Sequence, residues 1–127
     1  MKQIPESLLN TFSKYDTPTI VNSLELLDSK FRTSCFTTEQ MICADTTLPP
    51  IVGYARTATI SASSEVDPNT KRDRSLAYYE YVSSGTAPFI SVIQDIDESP
   101  GFGAFWGEVN SNIHNALGVI GVVTNGS

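Results

Sequence analysis

A glycine-rich stretch near the carboxyl end of the sequence is the first place where residue types and spacing could support chemistry. Gly101, Gly103 and Gly107 punctuate a loop, and an amphipathic helix is predicted to begin just after Gly107-Glu108. Because glycine has no Cβ, the backbone of such a loop can approach a ligand closely. The first amides of a helix have no partner within the helix and lie at the positive end of its dipole. The junction therefore suits a bound carboxylate or phosphate.

Charged side chains elsewhere are weaker candidates for a site. Asp95, Asp97 and Glu98 follow a predicted strand, where they could bind a metal, although a solvated turn is the favoured interpretation. Arg56 could bind an anion, but pairing with a nearby carboxylate is favoured for this strand residue. His114, the single histidine, is interpreted as a residue of a helix surface or an interface rather than as a base.

Composition and charge restrict the partners. The formal net charge of −6 argues against nucleic acid, because phosphate contacts need clustered lysine and arginine. The basic cluster at 71–74 is interrupted by Asp73, so a solvated helix face is favoured over a phosphate-binding patch. No apolar run approaches the length of a membrane span, and the amino terminus lacks the apolar region of a signal peptide. We therefore expect a cytoplasmic protein with no nucleic-acid or membrane partner.

The cysteines do not predict a metal site. Cys35 and Cys43 form no C-x-x-C pair, and the sequence has no second pair to complete a zinc site. Free, partly buried thiols are expected, as in a reducing compartment.

Helices and strands alternate along the 127 residues, which predicts one domain of mixed α and β structure, with a layered β core and helices outside. Gly53 is predicted to mark a bulge or a close approach of two backbones. The predicted helices are 5–14, one capped by Thr17 and continued by Pro18, a short one within 37–42, one capped by Asn69 or Thr70 and running to Ser83, and one that begins just after Gly107-Glu108 and ends at Gly118. The predicted strands are 51–61, 89–93 and 119–123. The side chains predicted to face the core from the helix ending at Ser83 are Leu76, Tyr79 and Val82, with Tyr78 and Tyr81 at its borders.

Four segments, taken in order, resemble one known family. The run from Gly107-Glu108 through a short helix to ALGVIGVVTNG (116–126) is similar to the RraA-like family. Three further segments agree with that resemblance: YDTPTIVN (15–22), GYARTA (53–58) and VIQD (92–95). The family includes metal-dependent aldolases that act on 4-hydroxy-4-methyl-2-oxoglutarate and the regulators of ribonuclease E activity. The resemblance covers nearly the whole chain.

The resemblance implies a fold, an assembly and an activity. The fold would be of the swivelling β/β/α kind, assembled as trimers or larger rings with sites between subunits. The activity would be a divalent-metal lyase: retro-aldol cleavage of a 4-hydroxy-2-oxo acid, or decarboxylation of oxaloacetate, giving pyruvate. The metal would be Mg²⁺, with Mn²⁺ as an alternative, because a hard cation can stabilise the enolate that develops.

The resemblance also implies that four consecutive residues, Gly107, Glu108, Val109 and Asn110, bind the substrate. Glu108 would be the catalytic residue, holding water around the cation as an outer-sphere ligand and assisting proton transfer. The amides of Val109 and Asn110 would bind the carboxylate of a pyruvate-like group. Without the resemblance, an acid in the first turn of a helix simply complements the dipole.

The sequence departs from the family pattern at its carboxyl end. The family's substrate-binding arginine and metal-ligating aspartate would fall shortly beyond Ser127, so the fold is expected to be C-terminally incomplete and the activity impaired. The alternatives are a non-enzymatic protein-binding regulator of the ribonuclease E inhibitor type, or an inactive family fragment. Self-association is expected through a sheet edge near 119–123.

Overall fold

The computed structural model describes residues 3–34 and 36–127, so Cys35 lies outside the described residues. The chain divides into two compact units, Met1–Val52 and Gly53–Ser127. The described residues form four α-helices, one short 3-10 helix and three strands, which confirms mixed α and β structure. None of the helices formed by these residues is both long and apolar enough to cross a membrane. The expectation of a single domain stays a prediction.

The first unit contains two predicted helices, α1 (Glu6–Phe12) and α2 (Thr17–Leu27), and a 3-10 helix at Ser29–Arg32. The cap of α2 differs from the prediction: it is Asp16, whose Oδ1 accepts the amide of Thr19 at 2.9 Å.

The short helix predicted within 37–42 is absent from the described residues of that segment, and the prediction is wrong. Ile42 is 90 % exposed and Met41 is 54 % exposed, so this segment has no apolar surface to pack against. A helix this short depends on such packing, because its own hydrogen bonds do not offset the cost of nucleation.

The second unit is built on a parallel sheet in the order β1-β2-β3. Its elements follow one another as β1 (Tyr54–Ile60), α3 (Pro68–Ser83), β2 (Phe89–Asp95), α4 (Glu108–Ala116) and β3 (Val119–Thr124). Each helix therefore connects two neighbouring parallel strands, as parallel pairing requires. The three predicted strands are confirmed: two of them begin at the predicted residue, and the other boundaries differ by one to three residues.

The core of this unit lies between one face of the sheet and the two helices. Val82 of α3, Phe89 of β2 and Val119 of β3 are buried together. Along β2, Phe89, Ser91 and the residues at 93 and 95 are buried, whereas Ile90 and the other alternate residues are not. This period of two places the buried side chains on the helix side of the sheet.

The strand β3 is an edge strand of the described sheet, as predicted. Its side chains Ile120, Val122 and Val123 are 47 %, 39 % and 37 % exposed, and none of them is charged. Self-association through this edge stays a prediction.

Helix α3 is rotated relative to the predicted face. Leu76, predicted to be inside, is 55 % exposed, whereas Tyr78 packs against the core. The tyrosine is accommodated because its hydroxyl lies 3.0 Å from the hydroxyl of Ser91 and therefore keeps a polar partner inside the protein. The cap of α3 also differs from the prediction: the side chain of Asp67 accepts the amides of Asn69 and Thr70 at 3.1 Å.

Two glycines behave as predicted. Gly118 follows the end of α4 with a φ of +88°, a conformation that residues with a Cβ rarely adopt. At Gly53 two backbones approach closely, because an added Cβ would lie only 2.9 Å from the carbonyl oxygen of Pro88.

Candidate functional site

The carboxyl ends of the three parallel strands bring three loops to one edge of the sheet. In open parallel sheets, ligands bind beyond this edge. The loop after β2 runs from Ile96 to Gly107 and leads directly into α4, so the amino terminus of α4 belongs to the loop that leaves this edge. The sequence-predicted site residues lie at that junction.

The amino terminus of α4 has no side-chain cap. Gly107 precedes the helix in an extended conformation, and its carbonyl oxygen accepts the amide of Ser111 at 2.9 Å. Among the described residues, the amides of Glu108, Val109 and Asn110 have no hydrogen-bond acceptor. Glu108 is exposed, and Val109 is 72 % exposed. These amides are therefore available to an anion, while the predicted pocket beside them stays a prediction.

Asn110 is held in place by three hydrogen bonds. Its side-chain Nδ2 donates to the carbonyl oxygen of Phe105 at 2.5 Å, and its Oδ1 accepts from the hydroxyl of Tyr79 at 3.0 Å. Its backbone oxygen accepts from Nδ1 of His114 at 2.7 Å. The Asn110 side chain thus fixes the glycine loop to α3, while its own amide remains without a partner among the described residues.

His114 is buried, with 2 % of its surface exposed, so its assignment to a helix surface is wrong. Since a carbonyl oxygen can only accept, Nδ1 carries a hydrogen, and Nε2 faces the Tyr78 hydroxyl at 2.8 Å. That hydroxyl also meets Ser91, so a continuous chain of hydrogen bonds runs from β2 through α3 to α4. Burial raises the pKa of Tyr78, which keeps this phenol protonated.

Aromatic rings surround this chain. The Trp106 ring lies 4.6 Å from the His114 ring, and the Phe105 ring lies 6.0 Å from it, measured between centroids. The Trp106 Nε1 is buried and has no hydrogen-bond partner among the described residues. These rings, together with the 2 % exposure of His114, separate the imidazole from solvent.

The carboxylates that follow β2 hold loops rather than a solvated turn. Asp95 is 5 % exposed, and its two oxygens accept the amides of Asp97 at 3.0 Å and Gly101 at 2.7 Å. Asn125, after β3, accepts the Asp95 amide at 2.7 Å and donates to its carbonyl at 3.1 Å. An added Cβ at Gly126 would lie 2.8 Å from the Asp95 side chain, so glycine makes this approach possible.

Asp97 is bound by the loop after β1. Its carboxylate accepts the hydroxyls of Ser61 at 2.5 Å and Ser63 at 2.6 Å, and the amide of Ala62 at 2.7 Å. These hydrogen bonds, those from Ser61 and Ser63 first, lower the pKa of Asp97 to about 2. Glu98 is exposed. Within the described residues, no group of three or more His, Cys, Asp or Glu side chains is arranged to hold a metal ion.

Arg56 caps the carboxyl end of α3 and forms no ion pair with a carboxylate of the described residues, so the favoured pairing is wrong, while the binding of an anion stays a prediction. Its Nε donates to the carbonyl oxygen of Val82 at 3.2 Å, and its Nη2 donates to the carbonyl oxygen of Ser84. Its guanidinium lies 4.2 Å from the centre of the Phe89 ring. A cation at this end complements the helix dipole.

The remaining candidates lie on the surface. The basic cluster at 71–74 is exposed on α3, which confirms a solvated helix face. The thiol of Cys43 is exposed rather than partly buried, and it lies 3.2 Å from the carbonyl oxygen of Asp45.

Sequence reasoning missed the buried polar chain through His114. The available signal was the spacing of Asn110 and His114, which are four residues apart and therefore share one face of α4. Their partners Tyr78 and Tyr79 come from another helix, and no local pattern predicts that they approach His114 and Asn110.

Comparison with known proteins gives no match: no family model, no curated protein and no solved structure matches the chain.

Proposed function

We propose that the chain is a divalent-metal-dependent lyase of the RraA-like family, with a swivelling β/β/α fold and cytoplasmic location. Its substrate would be a small 2-oxo acid, cleaved by a retro-aldol reaction or by decarboxylation of oxaloacetate to give pyruvate. The observation that carries the proposal is the row of unpartnered amides at Glu108, Val109 and Asn110. These amides belong to one of the segments that resemble the family.

The packing of a second segment against the one that carries these amides supports the proposal. Asp95 ends the VIQD segment, and Asn125 and Gly126 lie in the ALGVIGVVTNG segment. The amide of Asp95 donates to Asn125, and Gly126 allows the close approach of the Asp95 side chain. Segments that share a resemblance thus meet at the edge of the sheet that carries the candidate site.

Glu108 is the acidic side chain at the start of α4 that would hold a hydrated ion. Glu108 offers one exposed carboxylate, and Mg²⁺ usually keeps several waters while it is held by one or two carboxylates and substrate oxygens. Glu108 would therefore hold Mg²⁺, or Mn²⁺, through water. When bound, the cation would supply Lewis-acid stabilisation of the enolate oxygen.

The chain's own residues would orient the substrate and move a proton. The amides of Val109 and Asn110 would bind the carboxylate of the 2-oxo acid, because free amides at the positive end of a helix favour a negative charge. Glu108 is adjacent to these amides, so its carboxylate can accept or donate a proton beside the bound carboxylate. Trimeric assembly, with the site completed between subunits, is part of the same proposal.

The test is release of pyruvate, measured with coupled lactate dehydrogenase. The substrate is 4-hydroxy-4-methyl-2-oxoglutarate with magnesium, and three proteins are compared: the chain, its Glu108→Gln variant and its Glu6→Gln variant. We expect Glu108→Gln to lower kcat/KM by about a hundredfold, as for the loss of a general acid or base. Glu6 also begins an exposed helix, so Glu6→Gln is the matched control and should be unaffected.

Weak turnover is expected from residues 1–127, because one outer-sphere carboxylate holds magnesium poorly. A version extended by the family's Arg-Asp segment should release pyruvate faster, since arginine grips a carboxylate with fixed geometry. If neither version releases pyruvate, or if Glu108→Gln has no effect on either, the proposed function is wrong.

A further inference from the structure

We propose that Tyr79 and His114 are positioning residues that aim the amides of Val109 and Asn110 by holding Asn110 from two sides. This inference rests on the proposed function, because it concerns the same anion-binding amides. Neither side chain would touch the substrate. Their action would pass through Asn110, which contacts both of them.

The first step is the unusual use of Asn110. It is the third residue of α4, where a polar side chain often reaches back and accepts the amide that precedes the helix. Here its oxygen accepts instead from the Tyr79 hydroxyl at 3.0 Å, and its nitrogen donates to the Phe105 carbonyl at 2.5 Å. Asn110 therefore does not cap the amide of Gly107. Among the described residues, the amides of Glu108, Val109 and Asn110 also have no acceptor.

The second step concerns the peptide planes. The carbonyl of Asn110 shares a rigid peptide plane with the amide of Ser111, so fixing this carbonyl and the side chain together restricts rotation about the Cα of Asn110. His114 holds the carbonyl at 2.7 Å. The aim of the preceding amides is then set by the side chain of Asn110 and by its link to Phe105.

The third step is the rigidity of the partners. His114 is 2 % exposed and is held through Nε2 by Tyr78, whose hydroxyl also lies 3.0 Å from Ser91. A donor fixed on both nitrogens cannot swing away, so Asn110 is tied to the buried side of the sheet. Preorganised amides of this kind bind a charge without reorganising at the moment of binding.

The experiment uses ¹H–¹⁵N spectra of the chain with and without pyruvate as the probe. Tyr79→Phe removes the hydroxyl and keeps the ring. In the free protein, we expect the Asn110 side-chain amide and the backbone amides of Val109 and Asn110 to shift and to exchange faster with solvent. With pyruvate, we expect the dissociation constant to rise about threefold to tenfold, as for the loss of one hydrogen bond.

Tyr81→Phe is the matched control. It removes another hydrogen-bonded hydroxyl from α3, at 3.2 Å from the amide of Thr57, and leaves Asn110 untouched. His114→Asn should preserve much of the binding, because the asparagine amide can replace Nδ1 as a donor to Asn110. Because asparagine keeps the donor to Asn110 but not the ring, retained pyruvate binding in His114→Asn would assign the effect to this hydrogen bond rather than to a general loss of packing.

The outcomes separate the two proposals. If Tyr79→Phe leaves the Val109 and Asn110 amides of the free protein unchanged, or if Tyr81→Phe changes them equally, the positioning role is wrong. If Tyr79→Phe changes these amides but pyruvate does not shift them in the unsubstituted chain, the proposed function is wrong. In that case the effect of Tyr79 on Asn110 stands as a structural fact.

Discussion

The amino termini of α3 and α4 meet the same physical requirement in opposite ways. The first amides of any helix need acceptors, and α3 receives them from Asp67, which precedes the helix. Helix α4 is preceded by Gly107, which has no side chain that could accept these amides. The polar side chain of Asn110, in the first turn of α4, is bound to Tyr79 and Phe105 instead. The α3 terminus is closed by its own sequence, whereas the α4 terminus is left open.

The contrast shows which contacts stabilise each helix. Helix α2 is also capped by an aspartate, Asp16, whereas α1, which follows Pro5, has no side-chain cap among the described residues. Helix α4 is instead stabilised from its buried side, through His114 and Tyr78. Because these buried contacts stabilise α4, the amides of its first turn can remain available for binding.

The largest expected effect tests the stabilisation of α4 by the buried side chain of His114. His114→Ala should lower the free energy of unfolding by about 3 kcal/mol, because it leaves a cavity and removes two buried hydrogen bonds. Urea denaturation measures this change. Asn115→Ala is the control, since Asn115 is the next residue of the same helix and is exposed. Equal losses in the two variants would contradict support from the inside.

The next effect tests the Asp67 cap at the amino terminus of α3. Asp67→Ala should cost about 1 kcal/mol of unfolding free energy, the usual price of removing an N-terminal cap. Asp73→Ala, an exposed position on the same helix, should be nearly neutral. Thermal unfolding of both variants gives the comparison. A neutral Asp67→Ala would show that α3 needs no cap, and the contrast with α4 would disappear.

The third effect concerns acid stability at the loop beside the site. The pKa of Asp97 falls from 3.8 to about 2 on folding, so its stabilising contribution is complete above 3.8 and is lost as the pH falls toward about 2. Asp97→Asn removes this titration and should flatten the stability curve over that interval. The exposed neighbour variant Glu98→Gln serves as the control. An unchanged slope for Asp97→Asn would mean that the serine hydroxyls do not hold the carboxylate.

Much of the fold could be predicted from local sequence. The strands 51–61, 89–93 and 119–123 follow from runs of apolar and β-branched residues, and the structure places strands within or across all three. The end of α4 at Gly118 follows from the conformational freedom of glycine. These signals are carried by a few adjacent residues and need no knowledge of distant contacts.

Two of the errors share one cause, which is a partner distant in sequence. The sequence favours a carboxylate as the partner of Arg56, but its partners are carbonyls at the end of α3, 26 and 28 residues away. The sequence predicts a helix surface or an interface for His114, but it is buried by Trp106 and by Tyr78 from another helix. Periodicity predicts which face a residue occupies, but not which faces are covered.

The sequence predicts where the candidate site lies, but not which side chains hold it in place. The loop-to-helix junction at Gly107 follows from glycine spacing, and the structure begins α4 at Glu108. The hydrogen bond from Tyr79 to Asn110 forms only because the parallel sheet brings α3, which carries Tyr79, beside α4. No pattern within one helix encodes that meeting.

The smallest expected effect joins the two termini directly. Gly107→Ser would give α4 the kind of cap that α3 has. The position accepts a side chain, because an added Cβ meets no atom within 4 Å and the backbone is already extended. The serine hydroxyl can accept the amide of Val109 or Asn110, which are the amides proposed to bind pyruvate.

We expect Gly107→Ser to be more stable than Gly107→Ala by about 1 kcal/mol, because alanine fills the same space without an acceptor. Pyruvate should bind the serine variant about twofold to fivefold more weakly than the alanine variant, since the ligand must displace the hydroxyl. Thermal unfolding and pyruvate titration of the two variants measure both changes. Greater stability with unchanged pyruvate binding would place the ligand elsewhere, because a capped amide cannot serve the hydroxyl and the carboxylate at once.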